Sequence, residues 1–269
     1  MGDLPIHMIQ EEEWSRMFLL YDSAIKEIST KLEILNNEFK LSHQYNPIEH
    51  ISSRLKSLDS IARKLRKRNM EMTVSNVMGV VNDVAGIRVI CTFSPDIYRI
   101  AKAIENQNDI EILNIKDYIK NPKPNGYMSY HMIVSIPIFL SDRVIKTKVE
   151  IQIRTIAMDF WASLEHKIYY KFEGKAPEGI RAELKECADI VEYLDRKMFA
   201  INENVKEYSE KGTVSDITVD GDYDFVDYES YDDEKDNIIN DVDFRKNKGK
   251  QIKKMGINKD FFKKKNKSK

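Results

Sequence analysis

The chain has 269 residues, 42% hydrophobic and 32% charged, with a net charge of −1. That is room for one large domain or two small ones with a genuine core. No run of about 18 apolar residues occurs, and the acidic opening at Glu11, Glu12 and Glu13 lacks the order of a signal peptide, so neither a membrane span nor a leader is expected.

Trp14, Met17, Phe18, Tyr21, Ala24, Ile25, Ile28, Leu32 and Leu35 step by threes and fours, which predicts an amphipathic helix over 14–35. After a break at Pro47, the pattern Ile51, Leu55, Leu58, Ile61, Leu65 predicts a second helix. Residues 85–93 are β-branched and end at Ser94-Pro95, which predicts a strand, followed by a helix over 96–106. Turn formers crowd residues 119–130, a loop. Residues 131–138 and 147–154 alternate as two strands joined by Ser141-Asp142-Arg143, and helices follow, the last over 178–208. Strands framed by helices predict an α/β domain with helical extensions at both ends.

Charge is sorted along the chain. Residues 1–215 hold 30 basic and 31 acidic side chains; 216–243 hold 12 acids and one Lys, and 244–269 hold 12 bases and one acid. Blocks of like charge cannot bury enough apolar area to offset chain entropy, so 212–269 is expected to be a disordered acidic-then-basic tail behind a domain over 1–211. The cysteines, Cys91 and Cys187, stand alone, which excludes a disulfide scaffold and a zinc module and fits a reducing cytoplasm.

Four clusters could carry chemistry. In 147–154, Val149, Ile151 and Ile153 take one face, leaving Lys148, Glu150, Gln152 and Arg154 in a row on the other. A solvated sheet face is the alternative. On the strand entered through Asp83, Arg88 shares a face with Ile90 and Thr92, which is costly unless it stacks or pairs. Asp83 and Glu150 together would suit Mg²⁺, whose shell is usually completed by substrate phosphates. If 54–65 is a helix, Lys56, Ser60 and Lys64 form one stripe about 12 Å long, matched to a chain of phosphates, with Arg54 facing elsewhere. A solvated basic face would look the same. Finally, Tyr127 and Tyr130 flank the Asn125-Gly126 turn as candidate base-stacking rings, bracketed by Lys123 and His131. The alternative is a surface turn whose tyrosines pack back on the body.

These elements occur in one order: Arg54-x-Lys56-x-x-x-Ser60-Ile61-x-x-Lys64, Asp83-x-Ala85-Gly86-Ile87-Arg88, Gly126-Tyr127-x-Ser129-Tyr130-His131, and Glu150-Ile151-Gln152-Ile153-Arg154-Thr155 followed by Met158-Asp159-Phe160-Trp161. Taken together they resemble the synthetase domain of the bacterial alarmone enzymes, specifically the small stand-alone (p)ppGpp synthetases. The resemblance covers residues 15–210, with a catalytic core over about 46–172. No His-Asp dipeptide of the hydrolase domain is present.

The resemblance implies a mixed five-stranded sheet like that of nucleotidyltransferases, and transfer of the β,γ-pyrophosphate of ATP to the 3′-hydroxyl of GDP or GTP, with GMP a further candidate acceptor. It implies that Arg54 and Arg88 sandwich adenine and that Lys56, Ser60 and Lys64 bind ATP phosphates. Asp83 and Glu150 would hold Mg²⁺, Glu150 also serving as general base. Tyr127 would stack on guanine, Asp159 would read its edge, and Lys123, His131, Gln152 and Arg154 would handle acceptor phosphates and orientation. It further implies a homotetramer built through terminal helices. Met128 stands where relatives commonly have Arg, which suggests a lost phosphate contact, and Ser29 and Glu33 stand where some carry allosteric lysines. A nucleotidyltransferase sharing the two-carboxylate sheet is one rival; a module binding single-stranded RNA through tail and aromatics is the other.

Overall fold

The structure, a computed structural model, describes residues 6–42, 45–171 and 176–210. The expected tail over 212–269 lies outside the described residues. The chain divides into two units, Met1–Glu203 and Asn204–Lys269. In the second, residues 204–210 are described and are helical.

A five-stranded mixed sheet organises the first unit. Helix α1 (Ile6–Ser42) precedes β1 (Ile48–Leu55), α2 (Leu58–Arg66), α3 (Val74–Val80), β2 (Ala85–Cys91), α4 (Ser94–Glu105), β3 (Glu111–Asp117), β4 (Tyr130–Phe139), β5 (Val144–Thr155), α5 (Ile156–Lys171) and α6 (Glu178–Glu210). The strand order is β1-β2-β5-β4-β3, with β2 and β5 parallel and the other neighbours antiparallel. A mixed sheet between helices, with helical regions at both ends, is the architecture the sequence led us to expect.

Register explains why one face is core and the other chemical. Ile87, Val89, Val149, Ile151, Ile153, Met132 and Val134 are all buried, and the pairs Ile87↔Ile151, Val89↔Ile153 and Met132↔Ile151 align them on one face. There they meet α1, through Met17, Ala24, Ile28 and Leu32, and α4, through Ile97, Ile100 and Ile104. Because side chains alternate along each strand, the intervening residues all project from the opposite face.

Three elements correct the sequence reading. Residues 51–55 belong to strand β1, not to a helix: Ile51 and Leu55 are four apart, a spacing that fits both a strand face and a helix face. The helix begins only at Leu58, where the Ser57 side chain accepts from the backbone N–H of Ser60 and caps it. Strand β3 was not anticipated; it is an edge strand whose Leu113 and Ile115 are largely exposed, leaving no clear alternation. Helix α3, seven residues capped by Thr73, was also missed.

Candidate active site

The chemical face of the sheet carries the site. Pairing places Arg54 opposite Gly86, Gly86 beside Glu150, Arg88 beside Gln152, and Gln152 beside His131. An open cavity above this row is lined by Ser52, Ser53, Arg54, Asp83, Gly86, Ile87, Arg88, Glu150 and Gln152. Arg54 and Arg88 therefore share one cavity with both carboxylates.

Asp83, two residues ahead of β2, meets two ammonium groups. Lys56 Nζ lies 2.8 Å from Oδ2 and Lys64 Nζ 2.8 Å from Oδ1. Burial pushes the Asp83 carboxyl up, but hydrogen bonds and charge from the two lysines outweigh that and hold it below its ordinary value. The continuous helical stripe of Lys56, Ser60 and Lys64 is not formed, because Lys56 precedes the cap. Its backbone N–H bonds Val84 at 2.8 Å, and its side chain reaches Asp83 from the strand-to-helix connection. Ser60 bonds instead with Ser57 and Arg63.

Glu150 is held from the other side. Gln152 Nε2 donates to Oε2 at 2.7 Å, and His131 Nδ1 lies 3.5 Å from Oε1. Burial raises the Glu150 carboxyl and Asp83 adds to that rise. Hydrogen bonds from His131 and Gln152, with the histidine's charge, bring it below its ordinary value. Asp83 and Glu150 are thus both carboxylates at neutral pH, close enough to feel each other. No third His, Cys, Asp or Glu joins them in a metal-sized group among the described residues.

From Glu150 a closed polar ring runs outward. Gln152 Oε1 accepts from Arg154 Nη2, which also donates to the Tyr127 hydroxyl at 2.9 Å. The Tyr127 hydroxyl and His131 Nε2 share a hydrogen bond of 2.8 Å, and His131 returns to Glu150. The Arg154 side chain is only 4% exposed and ion-pairs with Asp159 Oδ1 at 3.1 Å. The same Asp159 oxygen lies 3.2 Å from Arg88 Nη1, so the strand arginine has the partner its position demanded. Asp159 is engaged by two arginines.

The loop corrects one further expectation. Tyr127 and Tyr130 are not exposed platforms: Tyr130 is buried edge-on against Tyr98, and Tyr127 is half-buried, burial raising its phenol. Met128 is 6% exposed and borders an apolar space with Met158, Trp161, Ala188 and Val191, so its side chain does not stand at a phosphate-contact position. Gly126 has φ +88°, and a Cβ there would come within 2.4 Å of the Ala188 Cβ, so glycine is what lets the turn lie against α6. Trp161 fixes that helix by donating to the Leu184 carbonyl at 2.9 Å.

Tyr118, absent from the sequence reading, packs edge-on against Tyr127 and His131 at 6.0 and 5.2 Å. Lys123 sits over both tyrosine rings, 4.7 Å from Tyr118 and 4.4 Å from Tyr127. Only its position between strand and loop could have pointed to Tyr118. Of the earlier candidates, Ser29 is partly exposed and Glu33 exposed on α1.

A family model described as the region found in RelA / SpoT proteins matches residues 53–175. The GTP pyrophosphokinase YwaC of Bacillus subtilis is 47% identical over 194 residues, covering 72% of this chain and 92% of that protein. The crystal structure of small alarmone synthetase 2 from Bacillus subtilis superposes with a TM-score of 0.66 at 45% identity, covering 71% of this chain and 99% of that one. Small alarmone synthetase 1 of the same organism, solved with its product pppGpp, gives 0.67 at 31% identity over 72% of this chain and 98% of that one. With a family model over residues 53–175, 47% identity to a GTP pyrophosphokinase and nearly the full length of these relatives in common, the chain belongs to the RelA/SpoT family, among its small alarmone synthetases.

Proposed function

We propose that this chain is a GTP pyrophosphokinase: it transfers the β,γ-pyrophosphate of ATP to the 3′-hydroxyl of GDP or GTP, making (p)ppGpp and releasing AMP. The observation that carries the reading is one cavity holding Asp83, Glu150, Arg54 and Arg88, with Glu150 oriented by His131 and Gln152.

The acceptor 3′-oxygen attacks the β-phosphorus, its proton passes to Glu150, and the bond from the β-phosphorus to the oxygen bridging to the α-phosphate breaks. Arg54 and Arg88 hold the adenine from both sides. Lys56 and Lys64 turn from Asp83 to the ATP phosphates, and Ser60 stands one turn before Lys64 on α2 to join them. Tyr127 stacks on guanine. Lys123 and His131 meet acceptor phosphates, while Gln152 and Arg154 keep the ring in register and Asp159 sets Arg88.

The donor set fits Mg²⁺. Two ionised carboxylates face one cavity, and a hard cation with one or two carboxylates takes its remaining ligands from phosphates and water. Bound there, the ion would neutralise charge on the transferring phosphates. Asp83 and Glu150 are the residues to hold it.

The reading extends to the assembly and the boundary. Exposed apolar side chains at Ile156, Phe160 and Leu164 on α5, and at Ile190, Leu194, Met198 and Ile201 on α6, support a homotetramer built through helices. No described helix is long and apolar enough to cross a membrane, and a cytoplasmic setting supplies both nucleotides. Every residue assigned to the chemistry lies between Arg54 and Asp159, so a chain ending at residue 211 should retain its turnover. The test of function is one incubation with ATP, Mg²⁺ and GDP, resolved by chromatography. AMP and a 3′-pyrophosphorylated guanosine are expected; released pyrophosphate would indicate nucleotidyl transfer instead.

A further inference from the structure

Lys123 owes its position to aromatic faces. No carboxylate lies within ion-pair distance of it among the described residues, and burial and the positive charge of Lys116 and Arg154 lower its ammonium group's pKa, against the pull of Glu150 and Glu165. What holds it is the pair of rings of Tyr118 and Tyr127, standing at 70° to each other with the ammonium 4.7 and 4.4 Å from their centroids. Attraction to a ring quadrupole fixes a cation in place without using up its N–H donors, so a lysine held this way stays able to bond phosphate oxygens.

Tyr118 is itself fixed. Its backbone N–H donates to the Ser129 carbonyl at 3.0 Å, tying the end of β3 to the end of the loop, and the His131 ring stands against it at 88°. We propose that Tyr118 is a positioning residue for the acceptor nucleotide: its ring is the wall of the cage that does not stack on guanine, and it keeps Lys123 aimed at the acceptor phosphates when Tyr127 turns to the base. This rests on the pyrophosphokinase reading and adds a residue to it.

The test compares Tyr118→Phe with Tyr118→Leu in the full chain, measuring KM for GDP, KM for ATP and kcat, alone and combined with Lys123→Ala. Phe keeps the ring face, so the acceptor KM should stay within about twofold of the parent. Leu removes the face, and the acceptor KM should rise about three- to thirty-fold with the ATP KM unchanged. On the Lys123→Ala background Leu should add less than about twofold, since the cage then has nothing to hold. Should Tyr118→Leu not fold, Tyr118→Gln takes its place in the same comparison. An unchanged acceptor KM with Leu, an equal rise with Phe, a parallel rise in the ATP KM, or a full further loss on the Lys123→Ala background would each overturn the positioning role. A parent protein that turns over no guanosine acceptor would overturn the pyrophosphokinase reading itself, and this role with it.

Discussion

Oδ1 of Asp159 is shared by two guanidinium groups, Arg154 Nη1 at 3.1 Å and Arg88 Nη1 at 3.2 Å. One arginine is almost fully buried and belongs to the ring around Tyr127; the other lines the cavity with Arg54. A single carboxylate on the first turn of α5 therefore ties the cavity lined by Arg54 and Arg88 to the polar ring around Tyr127.

Asp159→Asn should disturb both. The amide keeps the shape but leaves the buried Arg154 cation without its carboxylate, a change worth about 1–3 kcal/mol for a hydrogen bond to a charged group. We expect a lower melting temperature and a raised KM for both nucleotides, measured by calorimetry and steady-state kinetics. A rise confined to the acceptor would mean that Arg88 is set by something else.

Tyr127→Ala should weaken guanine-nucleotide binding by about 1–3 kcal/mol, the worth of a stacked base, while the ATP KM stays put. Tyr127→Phe separates ring from hydroxyl. It keeps the stacking face but breaks the hydrogen bonds to Arg154 and His131, so kcat should fall with little change in acceptor affinity. Isothermal titration with GDP, alongside turnover, resolves the two.

Gly126→Ala should destabilise the protein by at least about 2 kcal/mol. A left-handed backbone costs a residue with a Cβ about 1–2 kcal/mol, and the added methyl must displace Ala188 on α6. Thermal melts report the loss. Acceptor binding should fall with it, because the turn places Tyr127.

The same physics separates what was visible in the chain from what was not. Strand β5 announced itself because Val149, Ile151 and Ile153 alternate with Glu150, Gln152 and Arg154, and Glu150 was found that way, while Asp83 was found from its place at the entry to β2. Strand β1 hid because Ile51 and Leu55 satisfy two periods at once, and with it went the true start of α2 at the Ser57 cap. Strand β3 hid because an exposed edge places no demand on alternation. The cage around Lys123 and the depth of Arg154 could not be read locally, since each is made by strands and loops that meet only on folding.

Acid should unfold the protein through Asp83 and Glu150. Their carboxyls are lower in the folded chain than unfolded, so their stabilisation is present above the ordinary carboxylate range of about 4 and is lost as pH falls through the folded values. Asp195 runs the other way. Burial raises its carboxyl, against a hydrogen bond from Ser94 at 2.9 Å, so it costs stability as pH rises past the ordinary carboxylate value, in full above the raised one. Asp195→Asn should raise the melting temperature near neutral pH and lose that advantage in acid. A gain that grows as pH falls would reverse the sign argued here.

The most direct measurement is the initial rate of AMP and 3′-pyrophosphorylated guanosine formation by Glu150→Gln, beside the parent protein, with ATP, Mg²⁺ and GDP. The amide fits the same place on the chemical face of β5, so folding and assembly should survive, while the proton acceptor and one metal ligand are lost together. A fall of at least about a thousandfold is predicted, because removing a general base alone costs about 10² to 10⁴ and the ion's support goes with it. A folded Glu150→Gln protein that turns over at near the parent rate would contradict the assignment of Glu150 and, with it, the proposed mechanism.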